Sequence, residues 1–178
     1  MLEDEQKLVK QAQDGGVEAF GLLYDHYLPR IYRFVLLKVS HREDAEDLSH
    51  QAFLKAWENI EQYDFRGYSF GSWLYRIARN VTIDYYRSAK TEVSTDNIAD
   101  LIEETVRLDL DLKMEWEELM TGIKQLKEVE QDVLIMRFVE DLSIKETAES
   151  IEKSEGAVKL IQHRAINNLK KIVVKKKK

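Results

Sequence analysis

Cysteine is absent from the 178-residue chain, proline occurs once, at Pro29, and glycine seven times. Without cysteine there is neither a disulfide framework nor a thiolate metal site, and a reducing, intracellular setting is the simpler expectation. The first thirty residues lack a basic start followed by an apolar stretch, and nowhere do eighteen apolar residues run together. Neither a signal peptide nor a membrane span is therefore expected, and a soluble, cytoplasmic protein follows. The length allows one domain or two small ones and excludes a large multidomain enzyme. What is present is 44% hydrophobic and 34% charged residues. That is enough apolar content for real cores beneath a heavily charged surface.

The net charge of -6 argues at first sight against nucleic acid, but it averages over unlike segments. Residues 1–88 carry 11 Lys/Arg against 14 Asp/Glu, residues 89–124 carry 4 against 10, and residues 125–178 carry 12 against 9. Acid is concentrated in the middle and base at the end, which suggests two modules and a joint. Residues 88–112 show weak periodicity and many Ser, Thr, Asp and Glu, as a mobile connector would; an ordinary solvated helix is the competing reading.

Elsewhere apolar residues recur at helical spacing. Phe20, Leu23, Tyr24, Tyr27, Ile31, Phe34, Val35 and Val39 mark one amphipathic helix, with Pro29 expected to turn or kink it. Ser40 is placed to cap a second helix, with Glu43 three residues on and Ala45, Leu48, Ala52, Phe53, Ala56 and Trp57 as its apolar positions. Gly67 and Gly71 interrupt residues 61–71, predicting a loop. On a third helix, from about Ser72 to Arg87, Phe70, Leu74, Ile77, Val81 and Tyr85 share a core face. Trp73, Arg76, Asn80 and Arg87 form a separate ridge. Helical period returns from about Lys113, and no segment alternates cleanly as a strand. The expected class is all-α, in two small helical domains.

The sharpest local signal lies between Ser143 and Lys171. A short helix over Ile144–Ile151 precedes Glu152-Lys153-Ser154, with Ser154 placed to cap a helix beginning at Glu155. The spacing reads as helix-turn-helix. Val158, Ile161, Ala165, Leu169 and Ile172 form the buried stripe of the second helix, turning Lys159, Leu160, His163, Arg164, Asn167 and Lys171 outward. Such groups bond base edges or phosphates in a major groove, and Leu160 suits a thymine methyl. A helical hairpin with a solvated basic face is the bland alternative. The terminal run Lys175–Lys178 suits phosphate attraction, solubility or a cloning remnant equally.

A second signal is aromatic density. Phe53, Trp57, Tyr63, Phe65, Tyr68, Phe70, Trp73, Tyr75, Tyr85 and Tyr86 fall within 53–86, with Lys55, Arg66, Arg76, Arg79, Arg87 and Lys90 among or beside them. Rings among cations are what single-stranded DNA binding requires, each stacked base contributing about 1–3 kcal/mol. Core packing accounts for Phe53, Trp57, Phe70 and Tyr85. For Phe65, Trp73 and Tyr75 both readings stay open. No catalytic constellation is present: Asp44, Glu46 and Asp47 read as a solvated helix start, and His26, His41, His50 and His163 have no evident carboxylate or nucleophile partner. Neither a Gly-rich phosphate loop nor a nucleophile motif occurs. Binding, with no cofactor and no metal, is the expected activity.

These residues resemble the extracytoplasmic-function sigma factors, promoter-specificity subunits of bacterial RNA polymerase, over nearly the whole chain. Asp44-Ala45-Glu46-Asp47-Leu48 and Phe53-Leu54-Lys55-Ala56-Trp57 are similar to the family's polymerase-binding helix. Phe65-Arg66-Gly67 and Ser72 to Asn80 are similar to its −10 region, and Glu130–Leu169 to its −35 reader. The resemblance implies a region 2 domain over 1–88, an acidic linker over 89–112 and a region 4 domain over 113–178. It implies that Asp47, Leu48, His50, Gln51, Leu54 and Lys55 grip core RNA polymerase. Phe65, Trp73, Tyr75, Arg76, Arg79 and Asn80 would open and hold −10 DNA, and Lys159, Leu160, His163 and Arg164 would read the −35 element. Promoter DNA, core polymerase and an anti-sigma factor are the implied partners, with no membrane insertion.

The chain departs from the family pattern in three places. His50-Gln51 stands where Gln-Glu is common, Leu160, Ile161 and Ile166 stand where small polar or basic residues are usual, and Lys127 replaces a proline. Weak isolated −35 binding is expected from the second departure. A stand-alone helix-turn-helix regulator is the alternative function; it would need only the C-terminal motif and would bind an operator tightly by itself. Free of partners, the two domains can pack through their polymerase- and DNA-facing surfaces, and the sequence leaves their arrangement open.

Overall fold

The computed structural model describes residues 4–65, 68–88 and 110–176, and for 110–115 and 175–176 the backbone alone. The expected connector, residues 88–112, therefore lies outside the described residues save Ser88, which ends α4, and its last three, which already belong to a helix. Arg66, Gly67, Lys90 and the side chains of the terminal lysine run also lie outside them. Every regular element among the described residues is helical. In chain order these are α1 (Glu5–Gln13), α2 (Val17–Val39), α3 (Arg42–Glu58), a 3-10 turn (Ile60–Gln62) and α4 (Phe70–Ser88). Then come α5 (Leu110–Ile123), α6 (Glu128–Leu134) running on as a π-helical turn (Ile135–Val139), α7 (Ile144–Ser150) and α8 (Glu155–Lys176).

Helices α1 to α4 pack around α2, whose Leu23, Ile31, Phe34 and Val35 are fully buried, as its period of three and four requires. α2 runs on through Pro29, so of the turn or kink expected there the turn is absent. Burial of residues on both sides of it offsets the one hydrogen bond that proline cannot donate. Ser40 does not cap α3 either. It takes a left-handed conformation, φ 60°, closing α2 through its N–H to Leu36 O. The cap passes to His41, whose Nδ1 accepts from the Asp44 N–H at 3.5 Å. Gly71 at the start of α4 is required by a close approach, since a Cβ there would stand 3.1 Å from the Tyr27 ring.

In the C-terminal unit α8 packs on α5, α6 and α7. Gly122 admits it, because a Cβ there would meet Leu169 Cδ1 at 2.8 Å. Glu130 Oε2 accepts the Lys127 N–H at 3.4 Å, so α6 starts at Glu128 without the usual proline. Ser143 and Glu146 cap α7 reciprocally, at 3.1 and 2.8 Å. Ser154 Oγ accepts from the Ala157 N–H at 3.2 Å, as expected of the cap of α8. The two units are joined: α4 packs on α7, and α2 on the π turn.

Candidate nucleic-acid interface

The turn after α3 is pinned before it reaches the aromatic cluster. Gln13 of α1 donates to the carbonyls of Ile60 and Tyr63 at 3.0 and 2.7 Å, and the Tyr63 hydroxyl donates to Tyr68 O at 2.7 Å. Tyr63 is thereby the hub of a ring cluster, with centroids 5.1 Å from Phe65, 5.6 Å from Phe70 and 5.1 Å from Trp73. Burial pushes the Tyr63 phenol up, keeping it a neutral donor. Phe65 is half-buried at the edge of this cluster, Trp73 is 8% exposed, and Tyr68 stands out at 51%.

The side chains on α4 expected to meet −10 DNA do not share one free face. Tyr75, 1% exposed, packs edge-on against Phe34 and donates to Glu140 Oε2 at 2.9 Å. Burial first, and then the Glu140 charge, raise its phenol well above the ordinary range. Arg79 Nε bonds Asp132 Oδ2 at 2.6 Å, and Arg76 reaches Glu152 at 3.4 Å. Asn80 is exposed. Of the open alternatives, Trp73 and Tyr75 are interior in the free chain, and Phe65 lies between. The expected core stripe is also only partly continuous: Phe70, Leu74 and Val81 are buried, whereas Ile77 and Tyr85 are half-exposed. The Tyr85 phenol instead donates to Asp44 at 2.8 Å, and that bond pushes it up to about 12.

Asp47, His50, Gln51, Leu54 and Lys55 are exposed along α3, at the spacing of one helix face, and Leu54 leaves 58% of its surface in solvent. Leu48 does not join them. It is 5% exposed, its side chain lying with Ala45 and Ala52 on the core face. On α8, Lys159, Leu160, His163 and Arg164 are all exposed, Leu160 at 68%. Val158 and Ala165 are fully buried behind them. Asn167 Nδ2 lies 2.9 Å from His163 Nε2, tying two groups of this face together.

Sequence reasoning missed the basic residues of α2. Arg33 makes a two-pronged pair with Glu140 at 2.7 and 2.8 Å, Arg30 donates to Glu140 O at 2.6 Å, and Lys38 Nζ bonds Asp132 Oδ1 at 2.7 Å. The Glu140 bond raises the Arg33 guanidinium above its ordinary value. The available signal was Asp132 and Glu140 bracketing an apolar run from Val133 to Met136, since buried carboxylates demand cationic partners.

Rings and cations along α4 on one helical unit and a helix-turn-helix on the other define the class, a bipartite, all-helical DNA-binding protein. Family models agree: Sigma-70 region 2 matches residues 23–92 and Sigma-70 region 4 matches residues 122–171. The chain is 32% identical to the sigma factor SigM of Bacillus subtilis over 83% of its own length and 91% of that protein's. It is 36% identical to the sigma factor BldN of Streptomyces coelicolor, with 94% of this chain matched but only 65% of BldN. The fold is similar to that of CnrH, solved in complex with the cytosolic domain of CnrY, with a TM-score of 0.74 at 21% identity over 95% of this chain and 96% of CnrH. The chain belongs to the extracytoplasmic-function sigma factors, and the stand-alone regulator is not favoured. No helix among the described residues is long and apolar enough to cross a membrane.

Proposed function

We propose that the protein works in the cytoplasm as a non-enzymatic initiation subunit that engages core RNA polymerase through the exposed face of α3, carried by Asp47, His50, Gln51, Leu54 and Lys55. Phe65, Trp73 and Tyr75 then supply stacking surfaces for the opened −10 strand. Arg76 and Arg79 supply phosphate contacts, and Asn80 an amide that both donates and accepts. Extruding a base costs a few kcal/mol, which one stacked base and its phosphate contacts balance. The outward groups of α8, Lys159, Leu160, His163 and Arg164, enter the major groove of the −35 element. An anti-sigma factor is the regulatory partner this reading implies.

The observation that carries the proposal is that one short chain holds both an exposed recognition helix and a ring-and-cation helix. A regulator of duplex DNA needs only the first. Mixing the purified chain with core polymerase and a promoter library, then sequencing the DNA upstream of the transcripts, tests it. A shared pair of upstream elements is the expected result; transcripts with no common motif, or no polymerase binding, reject it.

A further inference from the structure

Where the two helical units meet, Asp132 and Glu140 both hold cations, but the cation Lys124 has no acid partner among the described residues. Lys124 follows α5 and lines a cavity of about 360 Å³. Lys38, Ser40 and Tyr86 of the N-terminal unit form one wall, and Lys124, Glu128 and Gln131 of the C-terminal unit form the other. Most donors on these walls are spent within the chain. Lys38 Nζ bonds Asp132 at 2.7 Å, the Tyr86 hydroxyl donates to Lys38 O at 2.6 Å, and Gln131 Nε2 donates to the carbonyls of Lys124 and Leu126 at 3.1 and 3.0 Å.

Two donors are left over, one on each wall. Lys124 is half-buried, and burial lowers the pKa of its ammonium. Ser40 is 1% exposed, and its Oγ has no hydrogen-bond partner. A desolvated cation and an orphaned hydroxyl both cost free energy that a partner returns. Glu128, the acid on this wall, is exposed and makes no ion pair with Lys124. An ammonium facing a hydroxyl calls for a ligand with negative charge and with acceptors pointing in several directions. A tetrahedral phosphate has both, whereas a carboxylate presents two oxygens in one plane. The volume also admits the organic part of a small phosphomonoester.

We propose that this cavity binds a small phosphate, free or as a monoester, with Lys124 supplying the charge and Ser40 a hydrogen bond. Because the walls come from both units, the bound anion stabilises their packed arrangement by mass action. Binding here requires neither polymerase nor DNA, so the promoter-directed function stands or falls separately.

Phosphorus-31 NMR of inorganic phosphate titrated with the full chain, in chloride at matched ionic strength, reads the site directly. Saturable broadening with a Kd of about 1 mM or tighter is expected. Lys124→Met keeps the aliphatic stem without the charge and should weaken binding at least about tenfold. Ser40→Ala should weaken it about threefold. Glu128→Gln removes a repelling charge and should tighten it about threefold. Lys170→Met, which discharges an exposed position on α8, should leave it unchanged. The melting midpoint of Lys124→Met by circular dichroism should not fall, since the lost charge had no partner; if it does fall, Ser40→Ala and Glu128→Gln decide the matter. Glycerol 3-phosphate in the same titration separates the sources: tighter binding than inorganic phosphate assigns a phosphorylated metabolite, equal or weaker binding the free ion. No saturable broadening, equal affinity in the parent chain and Lys124→Met, an equal loss in Lys170→Met, or weaker binding by Glu128→Gln overturns the proposal.

Discussion

Two helices of this chain are candidates to touch DNA, and the fold treats them oppositely. Along α8 the groups expected to meet the major groove stand in solvent, backed by a stripe in which Val158 and Ala165 are fully buried and Ile161, Leu169 and Ile172 half-buried. Along α4 the matching groups are turned inward or bonded across the chain: Trp73 and Tyr75 are buried, and Arg76 and Arg79 are held by acids 76 and 53 residues away. A reader of paired DNA can stand ready, because a rigid helix fits an existing groove. A captor of unpaired DNA presents rings, and rings left in water invite burial at the nearest apolar surface. The difference teaches that the free molecule leaves the proposed duplex face open and turns the proposed single-strand face inward.

Deleting one large side chain from each helix breaks or sustains this contrast most forcefully. Trp73→Ala removes a ring packed on Tyr63 and Phe70 and should cost about 3–5 kcal/mol of unfolding free energy. Leu160→Ala, at 68% exposure, should stay within about 0.5 kcal/mol. Urea denaturation followed by circular dichroism measures both, and equal losses would remove the contrast. Next in size is Arg164→Ala, expected to cost about 1–3 kcal/mol at a single −35 position if the guanidinium reads a guanine. Holoenzyme binding to a set of −35 variants checks it, and uniform weakening would make Arg164 a phosphate contact. Smaller again is Ser143→Ala. It removes the cap of α7, the helix that packs on both α4 and α8, and should lower the stability of the chain by about 1 kcal/mol in the same urea experiment.

How far each face was legible follows from the range of the interactions that make it. The exposure of Lys159, Leu160, His163 and Arg164 could be read from spacing alone, because Val158, Ile161 and Ala165 fix the inward direction of α8 within three turns. The cap at Ser154 is equally local. Ser40 was misread because a serine before an acidic turn suits an N-cap, while the end of α2 needed a left-handed residue at that position more. Leu48 was read both as an apolar position of α3 and as a polymerase contact, and its burial in the free chain agrees with the first reading. The burial of Tyr75 had no local signal at all, since its partner Glu140 lies 65 residues along the chain. Arg30, Arg33 and Lys38 escaped for the same reason, as their role exists only once α2 meets Asp132 and Glu140.

Asn80 offers the finest probe of the closed helix, because it is the one proposed −10 residue on α4 that the described contacts leave exposed. Its neighbours on α4 cannot separate structure from function: alanine at Trp73 would unfold as well as disarm, and alanine at Arg79 would leave Asp132 with Lys38 alone. Asn80→Ala should alter stability by less than about 0.5 kcal/mol, so any loss of function belongs to DNA. Affinity for core polymerase, measured by fluorescence anisotropy, should remain at the parent level, while permanganate footprinting should show fewer open complexes on the same promoter. A parallel fall in both would place Asn80 in the polymerase contact, and no change in either would mean that the opened strand is held by the rings and cations without an amide.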